Sequence, residues 1–510
     1  MDSKQFREQG KQIVDFIADY FENIRSQRVI PDVRPGFLQK HLPTEAPSKG
    51  EEFVNVKEDF EKFIMPGIVH WQSPNFHAYY PCGHSFPAVL GDLLSGGLGS
   101  IMFSWASNPA GTELEVVVMD WLGKMVKLPE DFLFEFTKDK PHVGGGCIQN
   151  TASESILVTM LAARRAALDR LRNRYPDDDD DVIMSRLIVY SSDQVHSCLD
   201  KAAMLAAVKL RKIPTNDEDQ SMNVVALEKA VKVDEAMGLH PFYLCASLGT
   251  TSTCAFDDLK KIGPICQRES IWMHIDAAYS GPAFMCPEFR PLLDGVEFAE
   301  SFNFNPHKLM LTNFDCSALW VKHRDMLKKA MHVDPIYLRK RSFMGESKVS
   351  VSEDEAAQDK ASDEVIDYRD WEIPLGRSMR ALKLWFVLRT YGLEGIQKHV
   401  RNHVKMAKLF ESLLAQDSRF EQVAKVVLGL VCFKLKGTAN KSKALLKAIN
   451  NEGLIHMVPG ELNGAYMIRF VVCSEWVKEE DIHFAWSVIK RNADKVLQGG
   501  EARSRHMGVA

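Results

Sequence analysis

The feature that most constrains this chain is residues 301–321, SFNFNPHKLMLTNFDCSALWV, where Lys308 lies between two apolar segments typical of strands. A lysine beside an apolar run usually extends its amine to solvent. Here Asn305, Pro306 and His307 directly follow the first segment, so an amide, an imidazole and an amine meet where a strand would end. Functional groups gather at strand ends, and a lysine in a partly desolvated site reacts as the free amine. The stretch therefore predicts a Schiff-base lysine.

The preceding apolar segment, IWMHIDAAYSG over residues 271–281, adds a carboxylate at a second expected strand end. Asp276 is followed by small residues that leave room for a flat ligand. A carboxylate in such a place keeps a pyridine nitrogen protonated, while the lysine holds the aldehyde carbon of the same ring. Asp276 and Lys308 together therefore indicate pyridoxal phosphate (PLP).

Composition and charge exclude several classes of protein. The chain has 510 residues, 45% hydrophobic and 26% charged, which is typical of a globular protein with a large domain and smaller ones. A formal net charge of -5 with dispersed Lys and Arg predicts no nucleic-acid partner. The start is charged and no apolar run approaches the ~18 residues of a membrane span, so a cytoplasmic location is expected. The 10 cysteines lack metal-ligand spacing, which predicts reduced, buried thiols and no metal.

A regular alternation of apolar strands and helices begins at residue 187 and predicts a parallel sheet covered by helices. His196 follows the strand predicted at residues 187–190, at the edge expected for Asp276 and Lys308. A lone histidine is usually structural, but at this edge it can stack on a cofactor ring. His196 is therefore a candidate site residue.

A glycine run, Gly144, Gly145 and Gly146, precedes hydroxyl-bearing residues and a helix predicted at residues 156–172. The hydroxyls of Thr151 and Ser153, with backbone N–H groups at the helix start, can bind a phosphate. The spacing matches neither the P-loop nor the GxGxxG pattern, so binding of a nucleotide is not supported. A simple N-capped helix is the alternative.

An aromatic stretch, HWQSPNFHAYYP over residues 70–81, stands out in a chain that averages 9% aromatic residues. It either packs in a core or forms a wall for an aromatic substrate. Residues 5–24 carry apolar side chains at helical spacing and predict an amphipathic helix. Residues 376–490 alternate helices and strands, which is typical of a smaller α+β domain.

A series of ordered motifs over residues 1–490 resembles the animal PLP-dependent aromatic L-amino-acid decarboxylases, with the related tyrosine decarboxylases and 3,4-dihydroxyphenylacetaldehyde synthases. The motifs are HWQSP, SWASNPAGTELE, TASE after the glycines, YSSDQVHS, LGTTSTCAFDDL, HIDAAYSGPAFMCPEFR, FNPHK, NFDCSALWVK, DPIYL and WEIPLGR. The resemblance implies fold-type I (aminotransferase-like), an α/β fold with a large, mostly parallel sheet. It also implies four parts: an N-terminal helical segment (1–85) packing on the partner subunit, a PLP-binding domain (86–375), a small C-terminal α+β domain (376–490) and a tail (491–510).

The resemblance also implies roles for individual residues. Lys308 would attach the cofactor, Asp276 would face the ring nitrogen, His196 would stack on the ring, and Tyr337 would return a proton to the substrate carbon. The other cofactor neighbours implied are Thr151, Ala152, Ser153, Thr251, Ala278, Asn305 and His307. The substrate-binding residues implied are Trp71, Tyr79, Tyr80, Pro81, Cys82, Ile101, Phe103 and Gly376.

Homodimers with shared active sites are characteristic of the family, and Ile101, Phe103 and Gly376 would approach from the partner chain. Polar, acidic residues follow Tyr337, and the sequence predicts a mobile loop at about residues 338–366. Departures from the family pattern are Leu309 for a usual tryptophan, Ser378 and Met379 for arginine and phenylalanine, and Cys82 in the substrate wall. Gly376 fits members with aromatic substrates.

Several functions remain open at this point. The first is decarboxylation of L-DOPA, tyrosine or 5-hydroxytryptophan to the aryl amine and CO2. The second is an aromatic acetaldehyde synthase, which adds oxidative deamination by O2; insect members of that type usually carry asparagine where this chain has His196, which favours the first. A silent PLP-binding scaffold is disfavoured because Lys308, Asp276, His196 and Tyr337 are all present. Aminotransferase activity is a further alternative.

Overall fold

The computed structural model describes residues 1–134, 143–333 and 366–507, with side chains through residue 498. Contacts divide the chain into two compact units: a large unit, Cys82–Asn402, and a second unit made of Met1–Pro81 and His403–Ala510. The division therefore falls at Asn402, whereas the sequence places a boundary at residue 376. Tyr337 and the predicted loop up to residue 365 lie outside the described residues.

The second unit begins with helices α1 (Ser3–Glu22) and α2 (Phe53–Asp59). The Asp2 carboxylate caps α1 by accepting hydrogen bonds from the backbone N–H groups of Lys4 and Gln5, at 2.8 and 2.9 Å. Such a cap satisfies donors that have no partner within the helix. The predicted amphipathic helix at residues 5–24 is confirmed.

The large unit contains ten helices among its described residues. They are α3 (Phe86–Leu98), α4 (Pro109–Val126), α5 (Ala152–Arg174), α6 (Asp180–Met184), α7 (Cys198–Leu205), α8 (Val224–Ala236), α9 (Leu259–Arg268), α10 (Pro306–Leu309), α11 (Arg324–Met331) and α12 (Arg380–Ala415). Helix α12 continues past Asn402 and is interrupted at Gly392, whose φ of 60° is not helical. Its first turns bury Ala381, Leu384 and Val387 in the core of the large unit, which explains why the contact boundary lies beyond residue 376.

A seven-stranded sheet forms the centre of the large unit. Its strands are β1 (Gly145–Gln149), β2 (Leu187–Ser192), β3 (Lys209–Ile213), β4 (His240–Ser247), β5 (Trp272–Asp276), β6 (Ser301–Phe304) and β7 (Ser317–Val321). The spatial order is β1-β7-β6-β5-β4-β2-β3, with β2 to β6 parallel and β1 and β7 antiparallel to their neighbours. One core cluster includes residues of α5, α7 and α11, and the other includes residues of α4, α8 and α9. A mostly parallel sheet buried on both faces confirms the predicted α/β class.

The glycine run that precedes the predicted phosphate-binding hydroxyls is part of the sheet, because Gly145 and Gly146 belong to strand β1. A Cβ atom on Gly145 would lie 2.5 Å from the Phe134 ring, and one on Gly146 would lie 2.7 Å from Met119 and 2.9 Å from Trp320. These two glycines are therefore needed for close packing of β1, and phosphate binding by Thr151, Ser153 and the helix start stays a prediction.

The second unit resumes after α12 with an antiparallel sheet of order β10-β11-β9-β8. Its elements are β8 (Phe420–Gln422), β9 (Leu430–Leu435), helix α13 (Ala439–Glu452), β10 (Val458–Leu462), β11 (Ala465–Val471) and helix α14 (Glu479–Met507). Aromatic side chains fill its core, where the rings of Phe410 and Phe470 stack with centroids 3.8 Å apart. In the described ranges, no helix is long and apolar enough to cross a membrane.

Candidate active site

The carboxyl ends of strands β2, β4, β5 and β6 bring seven of the ten predicted cofactor-binding residues to one edge of the large unit. Asp276 is the last residue of β5, and its register partners are Ser247 on β4 and Asn303 on β6. Lys308 lies in the single helical turn α10, which begins two residues after β6 ends. Ligands bind at this edge in open parallel sheets.

Asp276 is half-buried, and one carboxylate oxygen, Oδ1, accepts a hydrogen bond of 2.9 Å from the backbone N–H of Ala278. Its negative charge reaches the side chains around it. Burial raises the pKa values of Cys198 and Cys245, and the charge of Asp276 raises them too. The same charge opposes the lowering of the His196 pKa. Asp276 therefore acts on several side chains at this edge.

The positive charge of the half-buried Lys308 acts on two histidines, His196 and His307. The backbone N–H of Lys308 donates to the Asn305 carbonyl at 2.9 Å, which fixes the turn that carries it. Burial, together with the Lys308 charge, lowers the pKa of His307 to about 3. The Nδ1 atom of His307 accepts a 2.8 Å hydrogen bond from the Cys316 N–H, so this neutral ring carries its proton on Nε2.

His196 lies exposed at the same edge, in the turn between β2 and α7. Its Nδ1 accepts a hydrogen bond of 3.1 Å from the backbone N–H of Cys198, which leaves Nε2 to carry the proton of the neutral ring. Partial burial lowers the pKa of His196, and the positive charge of Lys308 lowers it as well. The negative charges of Asp276 and Asp200 act in the opposite direction. The predicted neighbour of Lys308 and Asp276 thus presents an N–H donor.

The loop that carries Thr251 is tied to the His196 turn, because Ser252 Oγ donates a 2.8 Å hydrogen bond to Gln194 Oε1. Thr251 itself is exposed at the edge, and Ala278 is half-buried. Both predicted residues therefore lie in loops that follow the parallel strands.

The beginning of helix α5 carries the residues predicted to bind a phosphate. Thr151 is the N-cap of this 23-residue helix, and its hydroxyl makes no capping hydrogen bond. Ala152 is buried, whereas Ser153 is exposed and also hydrogen-bonds the Cys198 side chain. Free N–H groups and the helix dipole favour an anion here.

Comparison with known proteins adds the decisive observation to this geometry. The family model described as "Pyridoxal-dependent decarboxylase conserved domain" matches residues 35–436.

The chain belongs to the pyridoxal-dependent decarboxylases.

The decarboxylase is 49% identical to the aromatic-L-amino-acid decarboxylase of Rattus norvegicus over 98% of this chain and 99% of that protein. Among solved structures, it is similar to Catharanthus roseus tryptophan decarboxylase in complex with L-tryptophan, with 39% identity and a TM-score of 0.87. It is also similar to Rhodiola rosea 4-hydroxyphenylacetaldehyde synthase, with 35% identity and a TM-score of 0.86. Both structures cover 97% of this chain, and it covers 99% of each of them.

Pyridoxal phosphate is the cofactor of the decarboxylase, and buried polar atoms at the edge fit it. The Oδ1 atom of Asn305 and the Oγ atom of Ser192 have no hydrogen-bond partner among the described residues. They lie just after β6 and at the end of β2, on either side of Asp276. Unpaired buried polar atoms are costly, so a polar ligand at this edge is expected. Lys308, Asp276 and the start of α5 supply an amine, a carboxylate and an anion site.

The residues predicted to form an aromatic wall belong to both units. Trp71, Tyr79, Tyr80 and Pro81 belong to the second unit, and Cys82 begins the large unit. Within the second unit, the exposed rings of Trp71 and Tyr79 stack with centroids 5.1 Å apart, whereas Tyr80 is buried under the Arg469 guanidinium. The aromatic stretch therefore contains both core and surface residues.

Cys82 lies next to the lysine segment inside the large unit. The N–H of Gly83 donates to the His307 carbonyl at 2.6 Å. Burial raises the pKa of the Cys82 thiol. A hydrogen bond with the Phe314 backbone and the positive charge of Lys383 lower it by a smaller amount. Cys82 is thus a neutral, half-buried thiol close to the turn that carries Lys308.

Two residues predicted to approach a partner subunit line one cleft of about 630 Å³ in the large unit. Ile101 and Gly376 are both exposed there, beside Phe314 and Ser378. Phe103 is half-buried, and its carbonyl accepts a 3.0 Å hydrogen bond from the Arg369 N–H. The substituted residues Leu309 and Met379 are buried.

Sequence reasoning missed a charged cluster that connects the anion site to the lysine segment. The Arg380 guanidinium hydrogen-bonds Asn150 Oδ1 and lies 3.2 Å from Asp315 Oδ1. Asn150 directly precedes the N-cap of α5, and Asp315 follows Lys308 by seven residues. The only sequence signal was the WEIPLGR motif, which ends three residues before Arg380.

Proposed function

We propose that this chain catalyses PLP-dependent decarboxylation of an aromatic L-amino acid, of the L-DOPA, tyrosine or 5-hydroxytryptophan class, to the aryl amine and CO2. The observation that carries the proposal is the convergence of Lys308, Asp276 and His196 at the carboxyl edge of the sheet. Family membership supplies the reaction class. The relatives named above support an aromatic substrate.

Each residue contributes a distinct step to this chemistry. Lys308 would hold the cofactor through its amine. Asp276 would keep the ring nitrogen protonated, and PLP, when bound, would supply the acceptor for the electron pair of the bond to the carboxylate. His196 would face the cofactor with its Nε2–H, which is available because Nδ1 accepts the Cys198 N–H. Tyr337, outside the described residues, remains the predicted proton donor.

The beginning of α5 would hold the phosphate, with the Thr151 hydroxyl, the Ser153 hydroxyl and backbone N–H groups as donors. Asn305 and Thr251 would supply polar groups to the cofactor, and the small side chain of Ala278 would leave room for it. His307 is neutral and fixed by the Cys316 N–H, so it supplies a donor beside Lys308 without a second positive charge.

A homodimer with shared active sites is part of the proposal. Helix α3 and the residues after it expose apolar side chains, among them Leu94 at 46%, Leu98 at 70% and Ile101 at 59%. Contiguous exposed apolar surface marks interaction sites. Ile101 and Gly376 line the cleft next to this surface. A partner subunit bound to the surface would therefore have Ile101 and Gly376 of this chain close to its own active site. A cytoplasmic location stays a prediction.

The dimer is tested by light scattering on the wild type, on Leu94→Asp with Leu98→Asp, and on Val225→Asp. Val225 is 79% exposed on α8 and serves as the matched control. We expect the wild type and the control to have twice the chain mass and the double variant to dissociate with loss of turnover. A wild type that is monomeric and active would contradict the shared site.

The activity is tested with purified protein, PLP and a panel of aromatic amino acids, while CO2, amine, aldehyde and hydrogen peroxide are quantified. Lys308→Ala should abolish CO2 release and keep the fold. Lys322→Ala, at a half-buried lysine just after β7, is the control and should remain active. Equal activity of wild type and Lys308→Ala would overturn the proposal.

A further inference from the structure

A series of buried polar side chains connects strands β5 and β6 on the protein side of Asp276. The indole N–H of Trp272 donates to Ser301 Oγ at 2.7 Å, and Ser301 Oγ lies 2.7 Å from His274 Nδ1. On the other side of the ring, His274 Nε2 lies 2.9 Å from Asn303 Oδ1. All four side chains are buried. Hydrogen bonds between buried polar side chains restrict the arrangements open to those side chains.

Strand geometry places this series on the same face as Asp276. Side chains alternate along a strand, so Trp272, His274 and Asp276 point to one face of β5. Asn303 is the register partner of Asp276 on β6, the adjacent strand. Neighbouring strands lie about 4.8 Å apart, so the hydrogen-bonded series ends beside the carboxylate.

The direction of the hydrogen bonds is fixed by their chemistry. Burial lowers the pKa of His274 to about 4, although the charge of Asp276 and the hydrogen bond to Asn303 both raise it. The His274 ring is therefore neutral. Because Asn303 Oδ1 can only accept, His274 Nε2 carries the proton and donates it. His274 Nδ1 therefore accepts from the Ser301 hydroxyl, which in turn accepts from Trp272.

The tautomer of His274 and the orientation of the Asn303 amide are mutually consistent. The amide oxygen is held by His274, and the Nδ2 atom is buried with no hydrogen-bond partner among the described residues. A buried amide nitrogen without an acceptor is costly, so the bond to His274 is what holds the amide in this orientation.

We propose that His274 and Asn303 are positioning residues for Asp276: the hydrogen-bonded series fixes Asn303, the register partner of Asp276 on β6, and thereby fixes the end of β5 that carries the carboxylate. The inference rests on the proposed role of Asp276 toward the ring nitrogen of PLP. A neighbouring side chain held in one position restricts the arrangements open to Asp276. Without His274 the Asn303 amide can rotate, and the position of the carboxylate is less well defined.

The test compares His274→Leu with His274→Gln and Tyr243→Phe. A glutamine can place an amide N–H where His274 has Nε2–H, so it restores the bond to Asn303 Oδ1. Tyr243→Phe is the matched control, because Tyr243 is buried, its ring faces that of His274 with centroids 6.0 Å apart, and its hydroxyl bonds Thr159 at 2.9 Å. It removes a buried hydrogen bond from the same core and leaves the series intact.

Three readouts are taken for each variant: thermal unfolding of the cofactor-free protein, the Kd for PLP, and the absorbance bands of the bound cofactor. We expect His274→Leu to weaken PLP binding by at least about tenfold, a typical effect of removing a group that supports a ligand-binding residue, and to change the ratio of the bands. His274→Gln and Tyr243→Phe should keep the wild-type bands and affinity.

Wild-type absorbance bands and PLP affinity in His274→Leu would overturn the inference. An equal loss of PLP affinity in all three variants would overturn it too, since a purely structural role predicts equal losses. Should His274→Leu not fold, Asn303→Ala is measured in its place, with the same expected changes and the same contradicting result. Failure of the proposed function is distinguishable, because the wild type would then bind no PLP or release no CO2, whatever the variants do.

Discussion

The Arg377 guanidinium donates two hydrogen bonds of 2.9 and 2.8 Å to the Glu115 carboxylate, between side chains that are both enclosed in the large unit. The same guanidinium lies 2.7 Å from Glu372 and donates to the Ile148 carbonyl. The Arg377 guanidinium therefore contacts the side chains of both Glu115 and Glu372. These contacts fix the segment that ends at Gly376.

The two carboxylates should respond differently to neutral replacement. Breaking a buried ion pair by removing one partner costs about 3 kcal/mol or more, so Glu115→Gln should strongly destabilise the protein. Burial and the negative charge of Glu115 raise the pKa of Glu372 to about 8, although the positive charge of Arg377 lowers it. The Glu372 carboxyl is therefore largely neutral at pH 7. Glu372→Gln should therefore change stability little at pH 7. Urea unfolding of both variants checks this, and equal losses would contradict it.

The raised pKa of Glu372 also predicts a pH dependence of stability. A carboxyl whose folded pKa is raised contributes stability that is fully present below its unfolded value of 4.5 and is lost as pH rises through about 8. The contribution of Glu372 to the free energy of unfolding should therefore fall between pH 4.5 and 8. In Glu372→Gln that part of the slope should disappear, which urea unfolding across this range measures; an unchanged slope would exclude Glu372 as its source.

Asp257 supports the end of strand β4 opposite Asp276. It is buried, and its two carboxylate oxygens each accept a 2.7 Å hydrogen bond, from the N–H groups of Ser247 and Met222. An asparagine offers one acceptor, so Asp257→Asn leaves a buried N–H unpaired and should cost about 1–3 kcal/mol. Urea unfolding measures this cost. An unchanged midpoint would show that the two bonds contribute no net stability.

Asp276→Asn should separate cofactor binding from turnover. An amide cannot hold the proton on the ring nitrogen, so PLP should still bind while kcat falls at least about a hundredfold, a loss of about 2.8 kcal/mol in transition-state stabilisation. Asp200→Asn, at an exposed aspartate whose charge also reaches His196, is the control and should retain turnover. Near-normal kcat in Asp276→Asn would remove the argument for the ring nitrogen.

His196→Asn tests which product the site makes. With His196 present, we expect mainly amine and CO2. Loss of the imidazole should slow protonation of the substrate carbon and increase the share of aldehyde, ammonia and hydrogen peroxide, with O2 consumed. The ratio of peroxide to CO2 measures the partition. Stoichiometric aldehyde and peroxide from the wild type would instead favour the aldehyde synthase alternative.

Local sequence patterns predicted the edge of the sheet well. The apolar segments before Asp276 and Lys308 end as strands β5 and β6 at Asp276 and Phe304, because burial on both faces requires continuous apolar runs between polar strand ends. Likewise, the alternation after residue 187 correctly predicted a mostly parallel sheet.

Contacts between distant residues could not be predicted in the same way. The sequence gives no reason for Gly145 and Gly146 beyond their place before the hydroxyl-bearing residues, and the positions of Phe134 and Trp320 show that they are packing positions. The Glu115–Arg377 pair joins residues 262 apart, a separation that carries no local signal. The spacing of Trp272, His274 and Asp276 did contain a signal, since period-two polar residues in a buried strand require partners on the next strand.

The assignment of Lys308 as the residue that binds PLP is the central claim, and reduction with borohydride tests it most directly. Wild-type protein incubated with PLP is reduced, digested and analysed by peptide mass spectrometry. We predict a single phosphopyridoxyl group, on the peptide that contains Lys308, and none in Lys308→Ala. Modification of a different lysine in the wild type, or none at all, would contradict the assignment.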